Sequence, residues 1–197
     1  MMKSTLWATV AVMGLTRAAS AEGWTLDGDA SHIAFGSVKS QFIGEVHTFS
    51  GLSGAIGEDG NTSIDIELTS LETQIDIRNE RMAEHVFKML PSAQVTAQLE
   101  MAEFAKLDIG GSKVMEIDFD LAFLGEDLPL YGEIFVMRVG DDQVLVTTNS
   151  MVFVDTEELG IDAAVDKLQE LASLEDITRA VPVTMRFIFN RDGASKS

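Results

Sequence analysis

The feature that most constrains this chain is a period of two. Met115, Ile117, Phe119, Leu121 and Phe123 alternate with Glu116, Asp118, Asp120 and Ala122, and Ile64, Ile66 and Leu68 alternate with Asp65, Glu67 and Thr69. A helix would scatter these apolar residues around its circumference, whereas a strand gathers them on one face. The same rule, more weakly, predicts strands over residues 33–38, 46–56, 93–101, 131–139, 144–154 and 181–189. Turn chemistry separates them at Glu58-Asp59-Gly60-Asn61, Gly110-Gly111, the stretch from Gly125 to Pro129, and Gly140-Asp141-Asp142. Pro182 cannot donate to a ladder, so its end of the last strand should lie at an edge or a strand start.

Two stretches break the period. Met82, Val86, Met89 and Leu90 recur at helical spacing within residues 79–90, and Pro91 closes the segment. Ile161, Ala164, Val165, Leu168 and Leu171 form a second apolar stripe within residues 161–172. About eight antiparallel strands, apolar on one face and acidic on the other, with only short helices to cover them, predict an all-β chain: an eight-stranded antiparallel barrel with one or two covering helices. A filled sandwich would show the same alternation. The small inward residues Gly36, Ala93, Ala97 and Gly132 favour a barrel with room for a ligand.

The N-terminus reads Met1-Met2-Lys3, then an apolar run from Leu6 to Leu15, then Ala19-Ser20-Ala21. That order of positive, apolar and small residues predicts an export signal over residues 1–21, and the run is too short to anchor the chain in a bilayer. Cleavage after Ala21 would leave one domain over residues 22–190 and a tail over 191–197, in the periplasm of a bacterium-like cell. Without Lys3 and Arg17, 12 basic residues face 32 acidic ones, a formal charge near −20. Such a surface repels nucleic acid and anionic headgroups, and no basic patch interrupts it. The absence of cysteine excludes a lipoprotein anchor and a cysteine nucleophile, and a domain of this size needs no disulfide.

Motifs that carry chemistry are missing: no G-x-S-x-G, H-E-x-x-H, P-loop or G-x-G-x-x-G follows a strand. His32, His47 and His85 have no ligand spacing, so no metal is expected. Asp27-Gly28-Asp29 opens like a calcium loop, yet Val38 stands where the closing glutamate belongs. The methionines fall on apolar positions, as core or wall residues do.

Three blocks together give a resemblance: Trp24-x-Leu26-Asp27 with Ser31-His32-Ile33-x-Phe35; Ser70-Leu71-x-Thr73 with Arg78-Asn79-Glu80-Arg81-Met82; and Val181-Pro182-Val183. They resemble the YceI-like family of periplasmic, lipocalin-like polyisoprenoid-binding proteins, across essentially the whole mature chain. The resemblance implies an isoprenoid lipid, such as a polyprenyl chain or quinone-related molecule, held in the lumen without catalysis and without another cofactor. It also implies a membrane context, with a b561-type cytochrome as one partner; a homodimer is kept open. By position, His32 matches the histidine of the first block and Arg78 the arginine that opens the second. The commoner form has Asp after that arginine and His-Leu later, where this chain has Asn79 and Arg81-Met82.

An apolar wall would be drawn from Ile33, Phe35, Ile64, Ile66, Leu68, Ile117, Phe119 and Leu121. His32, Arg78 and Arg81 are the candidates for a polar head, the two arginines being the local cations that any phosphate would need. Two other readings stand beside the carrier: an enzyme using His32 or His85 as proton shuttle on a bound apolar molecule, and a structural or stress-related partner protein with a filled barrel.

Overall fold

The computed structural model describes residues 23–193. The expected export signal over residues 1–21 and the last four residues of the expected tail lie outside them. Four of the barrel's strands are broken by a bend into two segments each. The first is β1 (Trp24–Leu26) and β2 (His32–Lys39), the second β3 (Ile43–Phe49) and β4 (Leu52–Ile56), and the third β5 (Asn61–Glu67) and β6 (Leu71–Glu72). Unbroken β7 (Ser92–Gln98), β8 (Ser112–Phe123) and β9 (Glu126–Arg138) follow, then broken β10 (Gln143–Thr148) and β11 (Val152–Asp155), and finally β12 (Ala180–Arg191). The twelve segments thus make eight strands, each antiparallel to its neighbours. β12 closes the ring, pairing with β10 and β11 on one side and with β1 and β2 on the other.

The breaks account for most differences from the expected boundaries. The strand expected over 46–56 bends after Phe49, where Gly51 O turns away to accept from Glu67 N at 2.8 Å. The strand expected over 144–154 bends after Thr148, where Asn149 N donates to Glu133 O at 2.8 Å. The turn expected from Gly125 to Pro129 is shorter: Leu124 and Gly125, both at positive φ (55° and 89°), form a two-residue hairpin that leaves Phe123 opposite Glu126. Pro129 lies within β9 opposite Asp120. It is tolerated because β10 pairs only Ile134–Arg138, so β9 has a ladder on one side alone at that point. Pro182 is placed by the same logic, near the start of β12, where the ladder to β2 begins one residue later at Val183.

Three helices cap the ends of the tube: α1 (Asp76–Arg81), α2 (Met101–Phe104) and α3 (Asp162–Ala172). α1 begins earlier than its apolar spacing predicts and widens over Met82–Val86 into a π-type turn, with Phe87 N donating to Met82 O at 2.9 Å. It ends before Leu90 because Lys88 and Met89 take left-handed backbone (φ 50° and 60°) ahead of Pro91. Arg81 Nη1 reaches Leu171 O at 3.2 Å and ties α1 to α3 over one end of the barrel. The short α2, which has too few residues to leave a period in the sequence, covers the opposite end.

Inward residues form one core: Ile64 (2% exposed), Leu68, Ile134, Val136, Phe187 and Phe189 are buried. A run of rings along the wall, Phe35 to Phe49 (5.4 Å), Phe49 to Phe87 (6.0 Å) and Phe87 to Phe123 (6.1 Å), pins the segment after α1 to the barrel.

Candidate functional site

The barrel is hollow. A cavity of about 780 Å³ runs through it, within the range of about 300–1,000 Å³ usual for small-molecule sites. Taking roughly 30 Å³ for each water-sized group, it admits on the order of 25 carbons, or about five isoprene units. The eight expected wall residues all line it: Ile33 and Phe35 from β2, Ile64 and Ile66 from β5, Leu68 from the turn after β5, and Ile117, Phe119 and Leu121 from β8. Their polar neighbours Glu116, Asp118 and Asp120 face solvent. Of the small residues expected to leave room, Ala93 and Ala97 border the cavity freely. Gly132 serves a different end: a Cβ there would stand 2.9 Å from Val152 Cγ2, so it makes way for a neighbour and not for a ligand.

The lining is graded along the axis. On β2 the inward positions run Ile33, Phe35, Ser37, Lys39 toward the end covered by α1 and α3, and β3 sets Phe49, His47 and Glu45 beside them through the pairs Ile33–Phe49, Phe35–His47 and Ser37–Glu45. Apolar walls therefore give way to neutral polar groups and then to charged ones. Glu45 is the hub of the charged tier. Its carboxylate accepts from Lys39 Nζ at 2.8 Å and from Arg78 Nη1, and Arg78 Nη2 donates to Thr73 O at 3.3 Å. Burial raises the Glu45 pKa, but the bonds from Arg78 and Lys39 outweigh it and hold the group below the ordinary carboxylate value. Burial, reinforced by the Arg78 charge, keeps the His47 imidazole below its ordinary value, so it is neutral at pH 7.

The signs of these shifts give a pH prediction. Below the ordinary histidine value of 6.5 the unfolded chain takes up a proton that folded His47 refuses, and stability falls as pH drops toward the lower folded value. The contribution of Glu45 is present above its unfolded value, near 4.5, and is lost as pH falls through its lower folded value. Denaturant midpoints should therefore decline in two stages on acidification, and His47→Phe should flatten the first.

The expected polar-head residues divide. Arg78 and Arg81 line the cavity near its mouth. His32 does not: in β2 it alternates with buried Ile33, so its ring is on the outer, exposed face, opposite Arg186 in the neighbouring strand. The lumenal histidine is His47, which the sequence leaves unmarked because Val46 beside it is the outward residue, 66% exposed. His85 is also outside the lining, and its Nε2 is 3.9 Å from Glu84 Oε2, beyond hydrogen-bond reach. Asn79, which departs from the commoner family form, serves the fold. Its Oδ1 accepts from Thr73 N at 3.0 Å and Thr73 Oγ1 at 2.5 Å, satisfying a threonine that is 3% exposed. A neutral amide oxygen is sufficient for that. Among the described residues no three His, Cys, Asp or Glu side chains are grouped as a metal site would require.

No family model and no curated protein matches the sequence. Solved structures do match the fold. A polyisoprenoid binding domain from Saccharophagus degradans, implicated in plant cell wall breakdown, aligns with a TM-score of 0.82 and 29% identity over 85% of this chain and 97% of that one. BcnA from Burkholderia cenocepacia aligns with a TM-score of 0.60 and 11% identity over 83% of this chain and 98% of its own, a likeness of fold alone. Closed barrel, helical covers and the near-full-length match to the Saccharophagus domain all agree with the three sequence blocks, so the resemblance to the YceI-like, lipocalin-fold proteins holds in the fold as well as in the sequence.

Proposed function

We propose that this protein carries an isoprenoid lipid through the periplasm, tail in the lumen and head toward the end covered by α1 and α3, without catalysing a reaction on it. The observation that carries this reading is the cavity itself, about 780 Å³ of space lined overwhelmingly by apolar side chains, with Lys39, Glu45, Arg78 and Arg81 gathered at one end and Arg138 and Arg191 at the other. Each methylene-sized group moved from water into such a lining gains about 0.8 kcal/mol, so a chain of a few isoprene units is held firmly without any bond to its head. The similar Saccharophagus domain is named for binding polyisoprenoids, which supports the same ligand class here. A filled barrel would have left no such space, and neither His32 nor His85, the candidate proton shuttles, is among the residues that line it.

The test is to express the whole chain in a bacterium, recover it from the periplasmic fraction, extract it with organic solvent and identify what is released by mass spectrometry. A near-stoichiometric prenyl lipid is the expected result. Periplasmic protein free of lipid would overturn the carrier reading, and protein retained in the cytoplasm with its N-terminus intact would overturn the export reading. The elution volume and co-purifying proteins of the same preparation test a homodimer and a b561-type cytochrome partner.

A further inference from the structure

The rim of the cavity is apolar on its outside as well as its inside. Ile75 and Ile77, at the entry to α1, line the cavity, yet they are 42% and 50% exposed, so they belong to lumen and surface at once. The β3–β6 pairing and the bond from Arg78 to Glu45 set this segment beside the start of β3. There Phe42 (85% exposed), Ile43 and Val46 also face solvent. In a chain with 32 acidic residues, five large apolar side chains gathered at one mouth mark an interaction site, where single ones would not.

The tip between β2 and β3 is held in the shape that presents them. Ser40 and Gln41 both take left-handed backbone (φ 49° and 65°), which residues with a side chain seldom adopt unless their surroundings impose it. Here the loop after α3 imposes it: Ser40 N donates to Asp176 O at 3.2 Å, Gln41 N to Asp176 Oδ1 at 2.9 Å, and Thr178 N to Val38 O at 2.9 Å. The amides of the turn are satisfied while the Phe42 ring projects into water, an arrangement the hydrophobic effect disfavours and the fold itself makes no use of.

Whatever covers this patch also covers the opening beside it, because Ile75 and Ile77 are part of both. A convex tip enters a fluid lipid surface without needing a matching groove, and the same surface is the source of an apolar cargo. The cations at the mouth do not ask for an anionic surface, since Glu45 engages Lys39 and Arg78, and Leu171 O engages Arg81. We propose that the β2–β3 tip and the entry to α1 dock on a lipid bilayer, Phe42 inserted among the headgroups, so that cargo passes between membrane and lumen without crossing water. This rests on the carrier reading above and adds the surface at which cargo is exchanged.

The test floats the periplasmic preparation on a density gradient with vesicles of phosphatidylethanolamine and phosphatidylcholine. The unsubstituted protein should rise with them. Phe42→Asp should weaken vesicle binding on the order of tenfold, the loss of one inserted ring, while lipid retained per mole of protein is unchanged. Phe153→Asp on β11 adds the same charge at a site 58% exposed on the side of the barrel, and should alter neither. Adding phosphatidylglycerol should weaken binding, because the net charge of the protein repels it, and salt should restore it. Absence of flotation, equal loss in both variants, or binding that requires phosphatidylglycerol would overturn the proposal. A dimer in sedimentation velocity that Phe42→Asp splits into monomers would overturn it too, by giving the tip to a second copy of the chain. In each of these cases lipid found in the purified protein leaves the carrier reading standing, whereas protein that floats but never holds lipid overturns that reading and the exchange with it. Flotation of the unsubstituted protein and its response to phosphatidylglycerol decide the matter even where a variant does not fold.

Discussion

Phe119→Asp is expected to abolish lipid retention, while Asp118→Lys, one position away, leaves it nearly intact. Phe119 lines the lumen and Asp118 is exposed on the outer face of the same strand. An ionised carboxylate facing hydrocarbon costs several kcal/mol unless it is paired, so a bound chain would have to withdraw from it or the lumen would fill with water. Reversing a charge in an exposed acidic row alters stability by about 0.5 kcal/mol at most. The measurement is lipid recovered per mole of purified protein, with far-UV circular dichroism to establish that each variant is folded. Phe119→Ser is the uncharged control, expected to retain lipid in part. Equal loss in the Asp118 and Phe119 variants would mean that the lumen is not where the lipid sits.

Glu45→Gln is expected to have two large effects of opposite kind. It removes the one carboxylate shared by Lys39 and Arg78, whose side chains are only about a quarter to a fifth exposed, at 25% and 21%. Breaking a largely buried pair leaves uncompensated charge, and with that residual exposure about 2 kcal/mol of destabilisation should appear in denaturant unfolding. The same change frees two cations beside Arg81 at the cavity mouth. Geranylgeranyl diphosphate should then bind on the order of tenfold tighter than it does to the unsubstituted protein, with geranylgeraniol little changed. Glu45 would thus decide which heads are admitted. An unaltered diphosphate affinity would mean that Glu45 pairs with its cations for stability alone.

Where burial follows hydrophobicity, the sequence is a good guide. The run from Met115 to Phe123 has its facing written in its alternation, and Ile33, Phe35, Ile64, Ile66 and Leu68 reach the lumen for the same reason. At the mouth the rule inverts. Glu45 and His47 point inward and Val46 outward, because lumen-facing positions near the charged tier are polar and the outer surface there tolerates an apolar residue. Period-two reading assigns such a strand the wrong way round or not at all, which is why it passes over His47; His32 enters through the family resemblance alone, and the alternation that turns Ile33 inward turns it outward. The partners that satisfy Arg78 and Asn79 lie up to 33 residues away, and that pairing is set by the closed barrel and not by local spacing. The same holds for the bends: Gly51 and Asn149 break their strands by bonding across the sheet, which no local residue pattern announces.

The final strand is the seam of the tube. β12 bonds to the first strand on one flank and to the penultimate one on the other, so until Ala180–Arg191 arrives both flanks are raw sheet edges. The longest sequence separations in the fold are therefore joined last, and no partial copy can round up its oily face by local steps. A chain lacking that segment is an open ribbon with two unpaired edges, the form of sheet most prone to stick to its like.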